Sequence, residues 1–326
     1  MNRRNCLAAL CALGASSLSA HAQQARKISR LCFITFDPGS LRSNRHGAFF
    51  ESLRSLGYSD DKNIKIDYLS ANGRAEKFPE LVAECLRLKS DVIVAATTPA
   101  AQAAKAATRT IPVVMLALGD PVGAGLIDNF ARPGGNVTGM SFQAPTLAAK
   151  RLELLKEMVP RLSRVLVLTY GIDPISAPQV ERIKTAAGVL GLTLFVRDLR
   201  VPEDIPAAFD AGVKERVDGL ITTSESFFVV NYARVIELAS RHRLPAAYSH
   251  SRYADAGGLM SYMANFPALY AGAAAHVDRI LKGAKPADLP VEQPTKFELL
   301  INLQTAKALG ISVPPTLMVR ADKLID

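Results

Sequence analysis

Short runs rich in β-branched residues alternate with helix-period segments along this chain, and a sequence with that rhythm is confined to α/β folds built on parallel sheets. Strands are predicted over 28–36, 64–69, 91–96 and 113–118, with helices over 43–56 and 75–88 between them. The run 91–96 is almost wholly apolar, as a strand covered on both faces should be. An Ala-rich helix begins at Thr98-Pro99. Thr98 is read as the cap whose hydroxyl accepts from the first amides, and Pro99 as the first helical residue, where a missing N–H costs nothing.

The rhythm then breaks. Pro133-Gly134-Gly135-Asn136 is a strong turn signal, and 137–142 reads as a strand with no long helix before it, a natural crossing into a second lobe. Beyond it, helices over 146–158, 177–190, 203–215 and 231–242 interleave with strands over 165–169, 192–197, 219–223 and 246–248. Leu152, Leu155, Met158 and Val159 share one helical face, which predicts core packing. Gly257-Gly258 precedes a strand over 259–263 and a helix over 267–282. A Pro-rich stretch, a run over 297–301, a short helix ending at Gly310 and a Pro314-Pro315 tail complete the chain. Its 326 residues exceed the roughly 250 to 300 that a single core can organise. The expected fold class is therefore α/β, with two Rossmann-like lobes of parallel sheet joined by three crossing strands. The N-terminal lobe is assigned to 23–139 and 264–295, and the C-terminal lobe to 140–263 and 296–326.

Residues 1–22 read as an export signal. Arg3 and Arg4 form a basic start, 6–18 are apolar or small, and Ala20-His21-Ala22 fits an A-x-A site, so cleavage near Ala22 and a periplasmic location are expected. The apolar stretch is too short, and too poor in large aliphatics, for a membrane span. Cys11 follows Leu10 rather than a small residue, which favours soluble export over lipid anchoring; the Arg pair leaves a twin-arginine route open. Formal net charge is +9, but Lys and Arg are scattered without interleaved aromatics, so nucleic-acid binding is not expected. Cys32 and Cys85 leave open both a disulfide and two buried thiols. No Cys/His cluster stands at metal-ligand spacing, and no cofactor is expected.

Enzymatic signatures fail at particular residues. Gly123-Ala124-Gly125 begins like G-x-G-x-x-G, but Asp128 stands where the third glycine belongs and would repel a pyrophosphate. Gly139-Met140-Ser141 begins like a nucleophile elbow, but Gln143 replaces the closing glycine. What remains is a set of polar groups at the carboxyl ends of strands, where open α/β sheets place ligands. In the first lobe these are Asp37, Ser40, Thr97, Thr98 and Asp120. In the second they are Tyr170 with Asp173, Ser224 with Glu225, and Tyr248 with Ser249 and His250.

The segments Gly119-Asp120-Pro121-Val122-Gly123-Ala124-Gly125-Leu126 and Ala131-Arg132-Pro133-Gly134-Gly135-Asn136-Val137-Thr138-Gly139 resemble those of ABC transporter substrate-binding proteins of the tryptophan/tyrosine uptake type. So do Arg241-His242-Arg243-Leu244-Pro245, Gly257-Gly258-Leu259-Met260-Ser261-Tyr262 and Asp288-Leu289-Pro290-Val291-Glu292-Gln293-Pro294-Thr295-Lys296-Phe297. The resemblance covers essentially the whole mature chain. It implies a type I periplasmic binding fold and a cleft near Thr97-Thr98, Asp120 and Ser224. In similar proteins an acidic residue and a proline precede the paired phenylalanines, whereas Ser224-Glu225-Ser226-Phe227-Phe228 stands here, so the second-lobe contacts are expected to differ.

The expected protein is an exported receptor, not an enzyme, that closes on a small carboxylate-bearing ligand, most plausibly an amino acid, and docks as a monomer on an inner-membrane ABC permease. Thr97, Thr98 and the Ala100 amide are expected to hold the carboxylate, a placement that gains about 0.3 to 2 kcal/mol from the helix dipole. Asp120 or Glu225 is expected to meet an ammonium, and Tyr170 or Tyr248 to flank the side chain. Capping by Thr98 without any ligand fits the same residues. Two alternatives are an exported hydrolase using Ser141 or Ser224 with His250, and a ligand sensor of the same fold. The sensor would need a DNA-binding headpiece where the leader stands.

Overall fold

A computed structural model describes residues 28–38 and 46–326. The leader, its cleavage site and Ser40 lie outside the described residues, as does the start of the helix predicted over 43–56.

In the first half, β1 (Ser29–Thr35), α1 (Gly47–Ser55), β2 (Ile64–Ser70), α2 (Phe78–Arg87), β3 (Val92–Ala95), α3 (Thr98–Ala107), β4 (Val113–Leu118) and β5 (Val137–Ser141) follow in order. They build a parallel sheet of order β2-β1-β3-β4-β5. Alternate strand residues bury opposite faces. Cys32, Ile34, Ile93, Val113 and Met115 pack with Phe78, Val82 and Ala104 of α2 and α3. Leu31, Phe33, Val92, Val94 and Val114 meet Phe49, Phe50 and Leu53 of α1 on the other face. Each such side chain, fully buried, contributes about 1.5 to 3 kcal/mol before the entropy of ordering is counted. Cys32 of β1 and Cys85 of α2 are joined in a disulfide, which resolves the choice left open by the sequence.

The second half runs α4 (Ala144–Met158), β6 (Arg164–Thr169), α5 (Ser176–Leu190), β7 (Thr193–Asp198), α6 (Asp204–Lys214), β8 (Gly219–Thr222), α7 (Ser226–Val230), α8 (Tyr232–Arg241), β9 (Ala246–Tyr248), α9 (Ser251–Asp255) and β10 (Met260–Ala264). After α10 (Phe266–Leu281) come β11 (Phe297–Asn302), α11 (Leu303–Leu309), α12 (Pro315–Arg320) and β12 (Lys323–Ile325). The second sheet has the order β12-β11-β10-β9-β8-β6-β7, with only the β10–β11 pair antiparallel. Leu152, Leu155 and Met158 are buried against Val165 and Val167. The helix α10 crosses back to the first sheet, where Leu269, Ala273 and Val277 pack with the α1 side of the core. The chain passes between the sheets after β5, after β10 and before β11. Two α/β lobes of mainly parallel sheet are thus joined by three crossings.

Several elements differ from their expected form. The strand predicted as a crossing is β5, the edge of the first sheet, paired in parallel with β4 and bridged at Met140 to Glu292. Gly139 has φ +129°, and a Cβ there would run into the Met115 backbone, so its place in the elbow-like motif follows from close strand approach. The helix predicted over 231–242 forms as α8, and an unpredicted short helix, α7, precedes it across Asn231. The Pro314-Pro315 tail continues into α12, which Pro315 opens, and then into β12 paired with β11. The five-residue helix α9 is too short for periodicity to reveal.

Candidate ligand cleft between the two sheets

The carboxyl ends of the strands of both sheets face one narrow cavity. From the first lobe, Ala96, Thr97 and Thr98 after β3, Leu118 and Gly119 at the end of β4, and Phe142 after β5 form one wall. Asp173 and Ile175 after β6, Ser224 and Ser226 after β8, and Ser249 and His250 after β9 form the other. Phe266 and Tyr270 of α10 close one side. These two rings sit in a helix whose pattern reads as core, which left them without a signal in the sequence.

At the α3 end, Thr97 is the cap. Its backbone is extended and its Oγ1 accepts from the Ala100 N–H at 3.3 Å. The cap therefore lies one residue earlier than expected, because Thr98 already has helical geometry. Ala101 N–H donates to the Thr97 carbonyl and Pro99 has no N–H. Among the described residues, this leaves the Thr98 amide and hydroxyl at the cavity with no hydrogen-bond partner. Ala100 is fully buried behind the wall with its amide taken, so it does not reach the cavity.

The second wall carries the acids. Asp173 lines the cavity, and burial pushes its carboxyl up to about 7, although the Ile175 N–H that donates to it at 3.2 Å opposes the shift. Glu225 sits behind Ser224 and Ser226, 1% exposed. Ser176 Oγ lies 2.6 Å from its Oε1 and 2.5 Å from the Tyr170 carbonyl, and Thr223 Oγ1 lies 2.5 Å from its Oε2 and 3.2 Å from the Leu168 carbonyl. The Ser176 and Thr223 hydroxyls, with the Gln179 side-chain amide at 3.1 Å, donate to this carboxyl, and the two hydroxyl bonds favour its charged form. Burial, then the nearby Asp173, outweigh those bonds and raise Glu225 to about 8, and its carboxyl faces this network rather than a ligand. Ser224 Oγ accepts from Arg151 Nη2 at 2.7 Å, and its amide donates to Gln179 Oε1 at 3.0 Å. The Ser249 hydroxyl, also at the cavity, has no hydrogen-bond partner among the described residues.

The remaining expected residues lie elsewhere. Asp120 turns back to accept from the Gly123 amide at 2.9 Å and lines a separate crevice beside Gln143 and Gln293. Tyr170 stacks on Phe227 at 4.4 Å and meets Phe36 of the first lobe edge-on at 6.4 Å, its hydroxyl raised to about 12 by burial. Tyr248 is buried against Tyr253 at 4.3 Å and borders a crevice with Gly257 and Gly258, so it does not flank the cavity. Among the described residues no hydrogen bond joins either serine to His250: Ser224 shares the cavity with His250 but its oxygen accepts from Arg151, and Ser141 borders the Asp120 crevice instead.

Residues 32–325 match the family model of the ABC transporter substrate binding proteins. The chain belongs to that family. As a substrate-binding protein it is a solute receptor and not an enzyme. It is similar to a tyrosine-binding protein of Clostridioides difficile, 29% identical over 263 residues that cover 81% of this chain and 75% of the relative. It is also similar to a domain of Streptococcus pneumoniae whose crystal structure holds L-Trp: 28% identity, 91% of this chain and 99% of the other, TM-score 0.84. A periplasmic binding ribose operon repressor protein of Lactobacillus acidophilus, 13% identical over 81% of this chain and 94% of its own, shares the fold alone at a TM-score of 0.56. The substrate-binding protein described here thus has the type I periplasmic binding architecture.

Proposed function

We propose that the chain captures an aromatic amino acid between its lobes and delivers it to an inner-membrane ABC permease. The observation that carries this reading is the polarity of the cavity. The dipole end of α3 with the free Thr98 amide lies on one wall, a buried carboxyl at Asp173 on the other, and the rings of Phe142, Phe266 and Tyr270 line the space between. A carboxylate is favoured at the helix start, an ammonium beside Asp173, and an aromatic side chain against the rings. Thr97 contributes by fixing the helix start, and Ser224 by a hydroxyl. The names of the tyrosine-binding and Trp-bound relatives support the ligand class.

The same proposal includes export to the periplasm with cleavage near Ala22, lobe boundaries at 139/140, 263/264 and 295/296, and a monomeric receptor. Support for export comes from the Cys32–Cys85 disulfide, since such bonds persist in oxidising compartments. Among the described residues no helix is long and apolar enough to cross a membrane.

Calorimetry of the mature protein with L-tyrosine, L-tryptophan and a panel of aliphatic amino acids, organic acids and sugars tests the reading. The aromatic amino acids should bind, and Asp173→Asn should weaken them at least about tenfold, the value of one hydrogen bond to a charged group. Binding of sugars alone, or undiminished affinity in Asp173→Asn, would overturn it.

A further inference from the structure

Arg151 projects from α4 beneath the second wall and is 1% exposed. Nη2 donates to Ser224 Oγ at 2.7 Å, Nη1 reaches the Tyr262 carbonyl at 3.4 Å, and Nε has no partner among the described residues. Among the described residues no carboxylate forms an ion pair with it. The acid whose charge acts on it, Glu225, accepts from Ser176, Gln179 and Thr223. Burial lowers the guanidinium only to about 10, so it stays cationic at neutral pH. A buried cation with no directly bonded counter-ion is costly, by several kcal/mol in typical proteins.

The bond to Ser224 gives the charge a use. Guanidinium nitrogens only donate, so Ser224 Oγ must accept from Arg151 and its own proton is free to point elsewhere. The Ser224 backbone is fixed by the Gln179 side chain, and the residue borders the cavity. We propose that Arg151 is a positioning residue for ligand selection: it turns the Ser224 hydroxyl into a one-way, cation-backed donor that favours a carboxylate over a neutral group on the ligand. This inference rests on the reading of the cavity as an amino-acid site. It assigns the second lobe a share in carboxylate recognition, opposite the Thr98 end of α3.

Matched pairs test it. The mature protein is titrated with L-tyrosine and L-tryptophan and with their primary amides, which keep the ring and the ammonium but lose the negative charge. Arg151→Met and Ser224→Ala should each weaken the acids about 10- to 100-fold, the range for a charge-assisted hydrogen bond, and change the amides little. Arg151→Lys should recover part of the preference for the acid. Because the two residues act through one bond, the double variant should lose no more than the larger single loss. Should Arg151→Met fail to fold, Ser224→Ala carries the test alone, since it leaves the cation in place. An equal loss for acid and amide, or an unchanged ratio in Ser224→Ala, overturns the proposal while leaving the amino-acid reading intact. Failure of the unaltered protein to bind either acid overturns that reading, and the inference with it.

Discussion

A buried carboxyl is held most cheaply in its protonated form, and Asp173 and Glu225 share that condition for different ends. Asp173 borders the cavity, where an arriving ammonium can ionise it; Glu225 lies behind it, where burial outweighs the hydroxyls that donate to it. Both bind a proton more tightly folded than unfolded, with folded values of about 7 and about 8. Their contribution to stability is therefore complete below the unfolded carboxyl range near pH 4, and is lost as pH rises through 7 and 8. Scanning calorimetry of the ligand-free protein should show Tm falling between pH 5 and 9, with a shallower fall in Glu225→Gln; a flat profile would contradict the assignment. Ligand affinity should move the other way, rising from pH 6 to 8 as Asp173 becomes ionised, with protons released on binding. Titration in buffers of different ionisation enthalpy measures that release. At this scale the sequence was half legible. Thr97, Thr98 and Ser224 stand at strand ends and face the cavity, but a strand end does not say which way each side chain points. Tyr248 and Glu225 turn into the lobe, and Asp120 folds back on its own turn. Arg151 reaches Ser224 from 73 residues away, a distance that no local pattern records.

Among the elements, α3 separates the work of two adjacent threonines. Thr97 caps and Thr98 faces the cavity, so Thr97→Ala should cost about 1 kcal/mol of stability, measured by urea denaturation. Thr98→Ala should instead reduce ligand affinity with stability nearly unchanged; the reverse pattern would put the cap back at Thr98. The disulfide ties β1 to α2 across a separation of 53 residues. Replacing Cys32 and Cys85 together by alanine should lower stability by about 2 to 4 kcal/mol, and a smaller loss would mean the bond constrains the unfolded chain little. Element types were legible because they rest on local periodicity: the apolar run 91–96 and the face of Leu152, Leu155 and Met158 both pack as their spacing requires. The antiparallel placement of β11 and the final strand β12 were not, since β11 returns to β10 only after the chain has crossed the first lobe in α10, and β12 pairs with β11.

Across the whole molecule, one apolar cluster runs from the first lobe into the second. Phe36 and Phe78 belong to it on one side and Tyr170 and Phe227 on the other, with Phe36 against Tyr170. That contact exists only when the lobes are together, so it favours the closed form even before ligand adds its own preference. In Phe36→Ala the balance should shift toward the open form: small-angle scattering of the ligand-free protein should give a larger radius of gyration, and saturating ligand should restore the smaller one. An unchanged radius would show that the aromatic contact does not hold the lobes. The three crossings have a further consequence in the order of synthesis. The first sheet is roofed by α10, which emerges only after five strands of the second sheet, and the second sheet is completed by β11 and β12 at the end of the chain. Neither half can seal its core while the other is still being made. A chain woven in this way leaves both cores incomplete until its last segments are made.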